Sequence, residues 1–349
     1  MIDEYIQTTM TKNQIPGLSV AVVQEGEPVL VKGYGLANLE HSVPATEHTV
    51  YEIASVGKTF TATVTMMLVE EEVISIDKPI TDYLNHPPLA WQSVTIKHIL
   101  SHQSGIPSYT DVPNYWEITR LDLSKPEILA LVTDLPLKFS PGEFSAYDNT
   151  GYYLLGLMLE KVTGQSYGDL LQERIFTPLA MNATVMNHPR DIVLHRAAGY
   201  RLPNTQLINK PYYSPSVTYS AGGQISSVED MVKWEQALYN ATLLKSSTLD
   251  MMWTSHPPNQ GDDWQKLKCV AGLGWWVLNY EDRRVVGHNG SILGFASNIT
   301  RFIDDMITVI IFCNLDKISR PDAIAKEIAG YYCPSLQEIE LQPPLKTHS

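Results

Sequence analysis

Three clusters of side chains in this 349-residue sequence could do chemistry. The first is Ser55-Val56-Gly57-Lys58, a hydroxyl and an amine at the head of a helical pattern. A three-residue step returns to the same helix face, so the amine can reach the hydroxyl. The helix N-terminus also favours negative charge at that point. An ordinary lysine, with a pKa of about 10.4, keeps its proton at neutral pH and needs burial or a nearby cation to act as a base. The second cluster is Tyr147-Asp148-Asn149, on a loop between the Pro141-Gly142 turn and a helical stretch. The third is His288-Asn289-Gly290-Ser291, which ends an apolar strand and whose Gly290 lets a substrate backbone come close.

Taken singly, each cluster has an ordinary alternative: a helix-start serine, a packed tyrosine with a turn asparagine, an edge-strand histidine with a local hydrogen bond. The sequence supplies its own counterexamples. Ser75-Ile76-Asp77-Lys78 repeats the first spacing, and Tyr83-Leu84-Asn85 repeats the second. Ser75 is followed by Pro79 and no helical run, and it lies only eight residues from Tyr83, against 92 between Ser55 and Tyr147. So short a separation cannot bring a helix and a distant loop together. Gly57-Lys58-Thr59 resembles the end of a phosphate-binding loop, but Glu52 stands where that loop needs glycine. His98 and His102 share an i, i+4 spacing without the glutamate or third ligand of a zinc site. No metal or cofactor is expected.

The elements that must position these groups follow from periodicity. LSVAVVQ, the turn EGE and PVLVKGYG form a hairpin over 18–34, and a helical pattern runs from about 55 to 72. From about 75 to 265 the chain is mainly helical segments between Pro/Gly-bounded loops, as in IKHILSH, KPEILALVTDL, TGYYLLGLMLEKVTG, VEDMVKWEQAL and SSTLDMMWTS. Strands return in LGWWVLN, RRVVGHN, ASNITRFI and MITVIIFC, before a last helix in PDAIAKEIAGYY. Strands at both ends with helices between them predict an α+β fold, with one mainly antiparallel sheet built from both chain ends and a largely helical insertion. The expected organisation is a single catalytic domain over 1–335, its sheet drawn from about 14–60 and 270–330, with a tail over 336–349.

Composition narrows the partners. A formal net charge of −13 lacks the basic face that nucleic acid requires. No apolar run approaches the roughly 18 residues of a membrane-spanning helix. Three cysteines without CxxC spacing give neither a disulfide framework nor a zinc site, and Cys313, inside VIIFC, reads as a buried thiol. The opening MIDEYIQTTM reads as an acidic amphipathic helix, not a secretory signal. The compartment stays open: cytoplasmic as written, periplasmic or extracellular if a signal has been removed. Oligomeric state is equally open.

The combination is more specific than its parts. A helix-start SxxK, a loop YxN and a strand-end HxG, in that order, resemble the serine β-lactamase and penicillin-binding protein superfamily. The closest branch is that of class C β-lactamases, with the related DD-carboxypeptidases, D-aminopeptidases and β-lactamase-fold esterases. IPGLSVAVV, YEIASVGKTFTA, VTIKHILSHQSGIP, FSPGEFSAYDNTGYYLLG, SAGGQISSVEDMVKW and GHNGSILGF extend the likeness over about residues 14–330. The resemblance implies a serine hydrolase with an acyl-enzyme on Ser55. Lys58 and Tyr147 would be its coupled proton-transfer pair, Asn149 would hold a substrate amide or orient Lys58, and His288 would line the pocket. The oxyanion hole would come from the backbone N–H groups of Ser55 and Ser291.

One departure bears on substrate. Class A and C β-lactamases carry Lys-Thr-Gly where this chain has His288-Asn289-Gly290, so a fixed positive charge for a substrate carboxylate is replaced by a mostly neutral imidazole. Small esters, amides or D-amino-acid peptides are therefore the expected substrates, with a class C-type β-lactamase as the alternative. A penicillin-sensing domain that is acylated without turnover would carry the same three residues.

Overall fold

The computed structural model describes residues 1–85, 87–259, 269–280, 283–316, 318 and 320–338. Most of the expected tail lies outside the described residues. In chain order the strands are β1 (Gly17–Gln24), β2 (Glu27–Asn38), β3 (Val43–Pro44), β4 (Tyr51–Glu52), β5 (Val185–Met186), β6 (Tyr200–Arg201), β7 (Ile208–Asn209) and β8 (Gln224–Ser226). The C-terminal set is β9 (Cys269–Ala271), β10 (Trp276–Tyr280), β11 (Arg283–Ile292), β12 (Phe295–Phe302) and β13 (Ile307–Cys313). Among the described residues one sheet has the order β3-β2-β1-β13-β12-β11-β10-β9, with every pairing antiparallel. The two chain ends meet where β1 lies against β13, Val20 opposite Ile311 and Ala21 opposite Ile310. This is the expected α+β, β-lactamase/transpeptidase-like architecture.

The expected hairpin turns at Glu25-Gly26, both with positive φ (52° and 82°), the geometry that suits a two-residue connection. β1 and β13 read as nearly continuous apolar runs because both faces of the sheet are covered. Val20, Val22, Val309 and Ile311 pack with Ile6 and Met10 of the helix Ile2–Asn13 and with Ile324 and Ile328 of the helix Pro321–Gly330. On the other face Ala21, Ile299, Ile310 and Phe312 join Phe60, Trp234, Tyr152 and Leu155. These come from the helices Lys58–Glu70, Val228–Tyr239 and Asn149–Thr163. The site lies on this second face.

The inserted region departs from the expectation in detail. It supplies β5 and β8, which pair with β4 in one small sheet, and the pair β6-β7, and these two- and three-residue strands are too short for a periodic signal. KPEILALVTDL yields a helix only over Lys125–Ala130. The helix Lys58–Glu70 is rich in β-branched residues that lower helix propensity, yet it is buried around most of its circumference, so packing decides its state. Three of its hydroxyls reach carbonyls, Thr59 Oγ1 donating to Val56 O, Thr65 Oγ1 to Thr61 O, and Thr61 Oγ1 to Ser220 O at 2.7 Å.

Candidate active site

Ser55 lies in a 3₁₀ turn, Ala54–Gly57, that runs into the helix Lys58–Glu70. Ala54 enters that turn with φ 45°, a left-handed conformation that costs a non-glycine residue about 1–3 kcal/mol. Gly222 makes it possible: a Cβ there would meet Ala54 C at 2.7 Å and Ser55 N at 3.1 Å. The turn is also pressed by β11. A side chain at Gly290 would run into Ile53 O and Ser297 Oγ and come within 3.1 Å of Ser55 N. What Gly290 admits is thus the chain's own backbone, in place of the substrate backbone expected from sequence, and the result is that β11 lies directly against the Ser55 amide.

Tyr147 is held by the residues on either side of it. Ala146 N–H donates to His102 O at 2.9 Å and Asp148 N–H to His102 Nδ1 at 3.2 Å. The phenol ring packs on His102, centroids 4.6 Å apart, and is stacked on Trp276 at 6.2 Å. Asp148 then caps the helix Asn149–Thr163, accepting from Thr150 N–H at 2.7 Å and Gly151 N–H at 3.0 Å. This helix start turns the Asn149 side chain toward Lys58.

The side chains converge on Ser55 Oγ. Tyr147 Oη donates to it at 2.7 Å, and Lys58 Nζ lies 3.2 Å away. Lys58 Nζ also donates to Ala221 O at 2.6 Å and to Asn149 Oδ1 at 2.8 Å. Both of those oxygens only accept. A neutral amine has two protons, so once both are given away its lone pair is left for the Ser55 hydroxyl. Burial pulls the Lys58 ammonium down to about 7, partly opposed by the Asp148 carboxylate. Burial pushes the Tyr147 phenol up, against its bond to Ser55, so it stays protonated at neutral pH.

Ser291 and Asn149 line the open cleft beside Ser55, with Tyr109, Thr110, Tyr115, Trp116, Tyr213 and Ile292. The segments 109–116 and 213–218 therefore supply much of its wall. The hydroxyls of Tyr115 and Tyr213 are hydrogen-bonded to each other, and Trp116 remains 60% exposed at the rim. His288 sits deeper than expected. It is 3% exposed, its ring lies 6.4 Å from that of Tyr147, and Nδ1 meets Asn289 O at 2.8 Å. Since a carbonyl only accepts, Nδ1 carries the proton. Burial, reinforced by the Lys58 charge, takes His288 down to about 3, so it is neutral through the physiological range.

Sequence reasoning missed His102, Trp276, Asp148 and the Ala221 carbonyl as parts of this site. The i, i+4 pair His98/His102 was the available signal, but the two rings part company. His98 Nδ1 accepts from Thr95 N–H in a capping box, while His102 supports Tyr147. The counterexamples also find local roles: Ser75 N–H donates to Tyr83 Oη at 3.1 Å, and Lys78 is exposed.

The family model for Beta-lactamase matches residues 2–330. The chain belongs to the Beta-lactamase family. Among its relatives, Protein flp of Staphylococcus aureus (strain N315) is 29% identical over 325 residues, covering 90% of this chain. This chain spans 63% of that relative's length. Penicillin-binding protein 4* of Bacillus subtilis (strain 168) is 28% identical over 333 residues, with 89% of this chain and 70% of its own length covered. The octameric penicillin-binding protein homologue from Pyrococcus abyssi has a similar structure, with a TM-score of 0.83, 28% identity, and coverage of 95% of this chain and 77% of that one. Membership of the Beta-lactamase family and these neighbours support a hydrolase of the serine β-lactamase and penicillin-binding superfamily. Among the described residues no helix is long and apolar enough to cross a membrane.

Proposed function

We propose that this protein is a serine hydrolase that cleaves small esters, amides or D-amino-acid peptides through an acyl-enzyme on Ser55. One observation carries the reading: Ser55 Oγ is met at once by Lys58 Nζ at 3.2 Å and Tyr147 Oη at 2.7 Å, with the amine already drawn down to about 7. Neutral Lys58 takes the Ser55 proton as Oγ bonds to the substrate carbonyl carbon. The oxyanion develops between the N–H groups of Ser55 and Ser291, a reading supported by the close approach of β11 at Gly290 to the Ser55 amide. As the bond to the leaving group breaks, the Lys58–Tyr147 pair returns the proton to the departing oxygen or nitrogen. Water then attacks the acyl-enzyme by the same path, freeing acid and Ser55.

The disadvantage of a β-lactam, whose carboxylate would need a cation here, rests on His288. A lysine about 4 Å from a substrate carboxylate contributes on the order of 1–4 kcal/mol, depending on effective dielectric. A buried neutral imidazole contributes none of that Coulombic pull, and the neighbouring arginines on β11 are occupied, Arg283 with Asp305 at 2.6 Å and Arg284 with Asp304 at 3.4 Å. A β-lactam is thereby disadvantaged and a neutral ester is not.

Intact-mass spectrometry with a fluorophosphonate, followed by peptide mapping, tests the nucleophile, and an adduct away from Ser55 overturns it. A turnover screen comparing p-nitrophenyl esters, D-amino-acid amides, a D-Ala-D-Ala peptide and a chromogenic cephalosporin tests the substrate class. Cephalosporin hydrolysis at about 10⁶ M⁻¹s⁻¹ or more, on the usual enzyme scale, overturns the substrate reading. An adduct that persists for hours without product identifies a sensor instead.

A further inference from the structure

We infer that the cleft beside Ser55 selects an uncharged acyl group that carries an aromatic ring, with Trp116 as a specificity-determining residue, a role that rests on the reading of Ser55 as the nucleophile. The cleft has a volume of about 220 Å³. An apolar cavity of about 150 Å³ is enough to take up benzene, so a ring fits here with room for the atoms that join it to the scissile carbonyl. The walls hold the rings of Tyr109, Tyr115, Trp116 and Tyr213 and the apolar side chains of Ile292 and Leu293. Among the described residues that line the cleft, none is charged. Glu52, which lines a small adjoining cavity with Tyr213 and Ile292, is ion-paired with Lys210. A charged acyl group would lose water here and gain no opposing charge.

Three of the four rings have their polar atoms engaged within the protein. Tyr109 Oη donates to Val217 O at 2.5 Å, and the hydroxyls of Tyr115 and Tyr213 bond to each other. That bond also ties the two loops of the wall together. Ser214 N–H donates to Thr119 O at 2.7 Å, and Tyr212 Oη and Ser214 Oγ both donate to Asp122 Oδ1 at 2.6 Å. The wall is therefore fixed before substrate arrives, and binding costs little ordering there. Trp116 differs from the other three. Its ring meets Tyr115 edge-on, centroids 5.3 Å apart, and the residue stays 60% exposed at the rim. That leaves an indole surface against which a second ring can stack or pack edge-on.

The proton path says which half of the substrate the cleft receives. The leaving atom must depart beside Lys58 and Tyr147, which return its proton, and neither residue lines the cleft. Ser55, Asn149 and Ser291 do. The leaving group therefore lies on the far side of Ser55 Oγ, and the rings face the acyl half. Selectivity for the acyl group should then be the same whatever the leaving group.

The test is kcat/KM of the full chain for three p-nitrophenyl esters that differ only in the acyl group, each corrected for its rate with hydroxide. The phenylacetate should exceed the acetate by about tenfold or more, the scale on which an apolar pocket selects. The (4-carboxyphenyl)acetate, nearly the same shape with a charge added, should fall back to the acetate or below it. Trp116→Ala should cut the phenylacetate-to-acetate ratio by about three- to tenfold, and Trp116→Phe should keep most of it. Because the readout is a ratio, a loss of rate common to both esters cancels, and the carboxylated ester gives its reading without any variant. A carboxylated ester turned over as well as its neutral twin, or a ratio unchanged in Trp116→Ala, overturns the inference. If a fluorophosphonate still labels Ser55 in that case, the nucleophile assignment stands without it. Labelling away from Ser55 overturns both.

Discussion

The chain contains two Ser-x-x-Lys segments with a tyrosine nearby, and they have opposite fates. Ser55 and Lys58 occupy a turn and the first residue of a buried helix, and Tyr147 arrives from 92 positions away to bond the hydroxyl at 2.7 Å. Ser75 and Lys78 lie in a loop, Lys78 is exposed, and the Tyr83 hydroxyl accepts from the Ser75 backbone N–H. The residue types and the Ser-x-x-Lys step are the same. The difference is desolvation: a lysine in water keeps its proton, whereas Lys58, enclosed by the helix, Tyr152 and the Ala221 carbonyl, is brought close to neutrality.

That contrast is broken most directly at the hydroxyls. Ser55→Ala should abolish turnover with the fold intact by circular dichroism, and Ser75→Ala should leave kcat/KM unchanged. Next come the proton carriers. Lys58→Ala and Tyr147→Phe should each lower kcat by several orders of magnitude, and the double variant by little more than either, because the groups act as one unit. Lys78→Ala and Tyr83→Phe should be silent in the same assay. A near-normal rate for Tyr147→Phe would reduce the mechanism to a Ser55–Lys58 dyad.

A smaller effect separates charge from shape in the cleft. His288→Lys should raise the ratio of cephalosporin to ester turnover by about one to three decades, the kinetic equivalent of the 1–4 kcal/mol ascribed to a lysine. An unchanged ratio would show that the buried position, next to Lys58, cannot present a cation to the substrate. The mildest test is pH. The active form of Lys58 is neutral, so wild-type kcat/KM should be level above about pH 7 and fall close to tenfold per unit below it. A profile flat to pH 5 would contradict the assignment of the base.

The local stretches of this molecule were legible because their signals are local. Apolar runs gave the strands at both ends, helical periodicity gave the helices Asn149–Thr163 and Val228–Tyr239, and motif order separated Ser55 from Ser75. The three reactive residues could be named from sequence together with the resemblance. Tertiary structure alone decided how they are tuned. Only packing pairs the lysine amine with two obligate acceptors, and only packing closes His102 and Trp276 around Tyr147. His288 shows the limit most plainly. As a residue type it titrates near neutrality, but at 3% exposure beside Lys58 it is held neutral down to about 3. Proton affinity depends on what surrounds a group in three dimensions, and those neighbours come from chain segments whose separation in sequence carries no record of their contact.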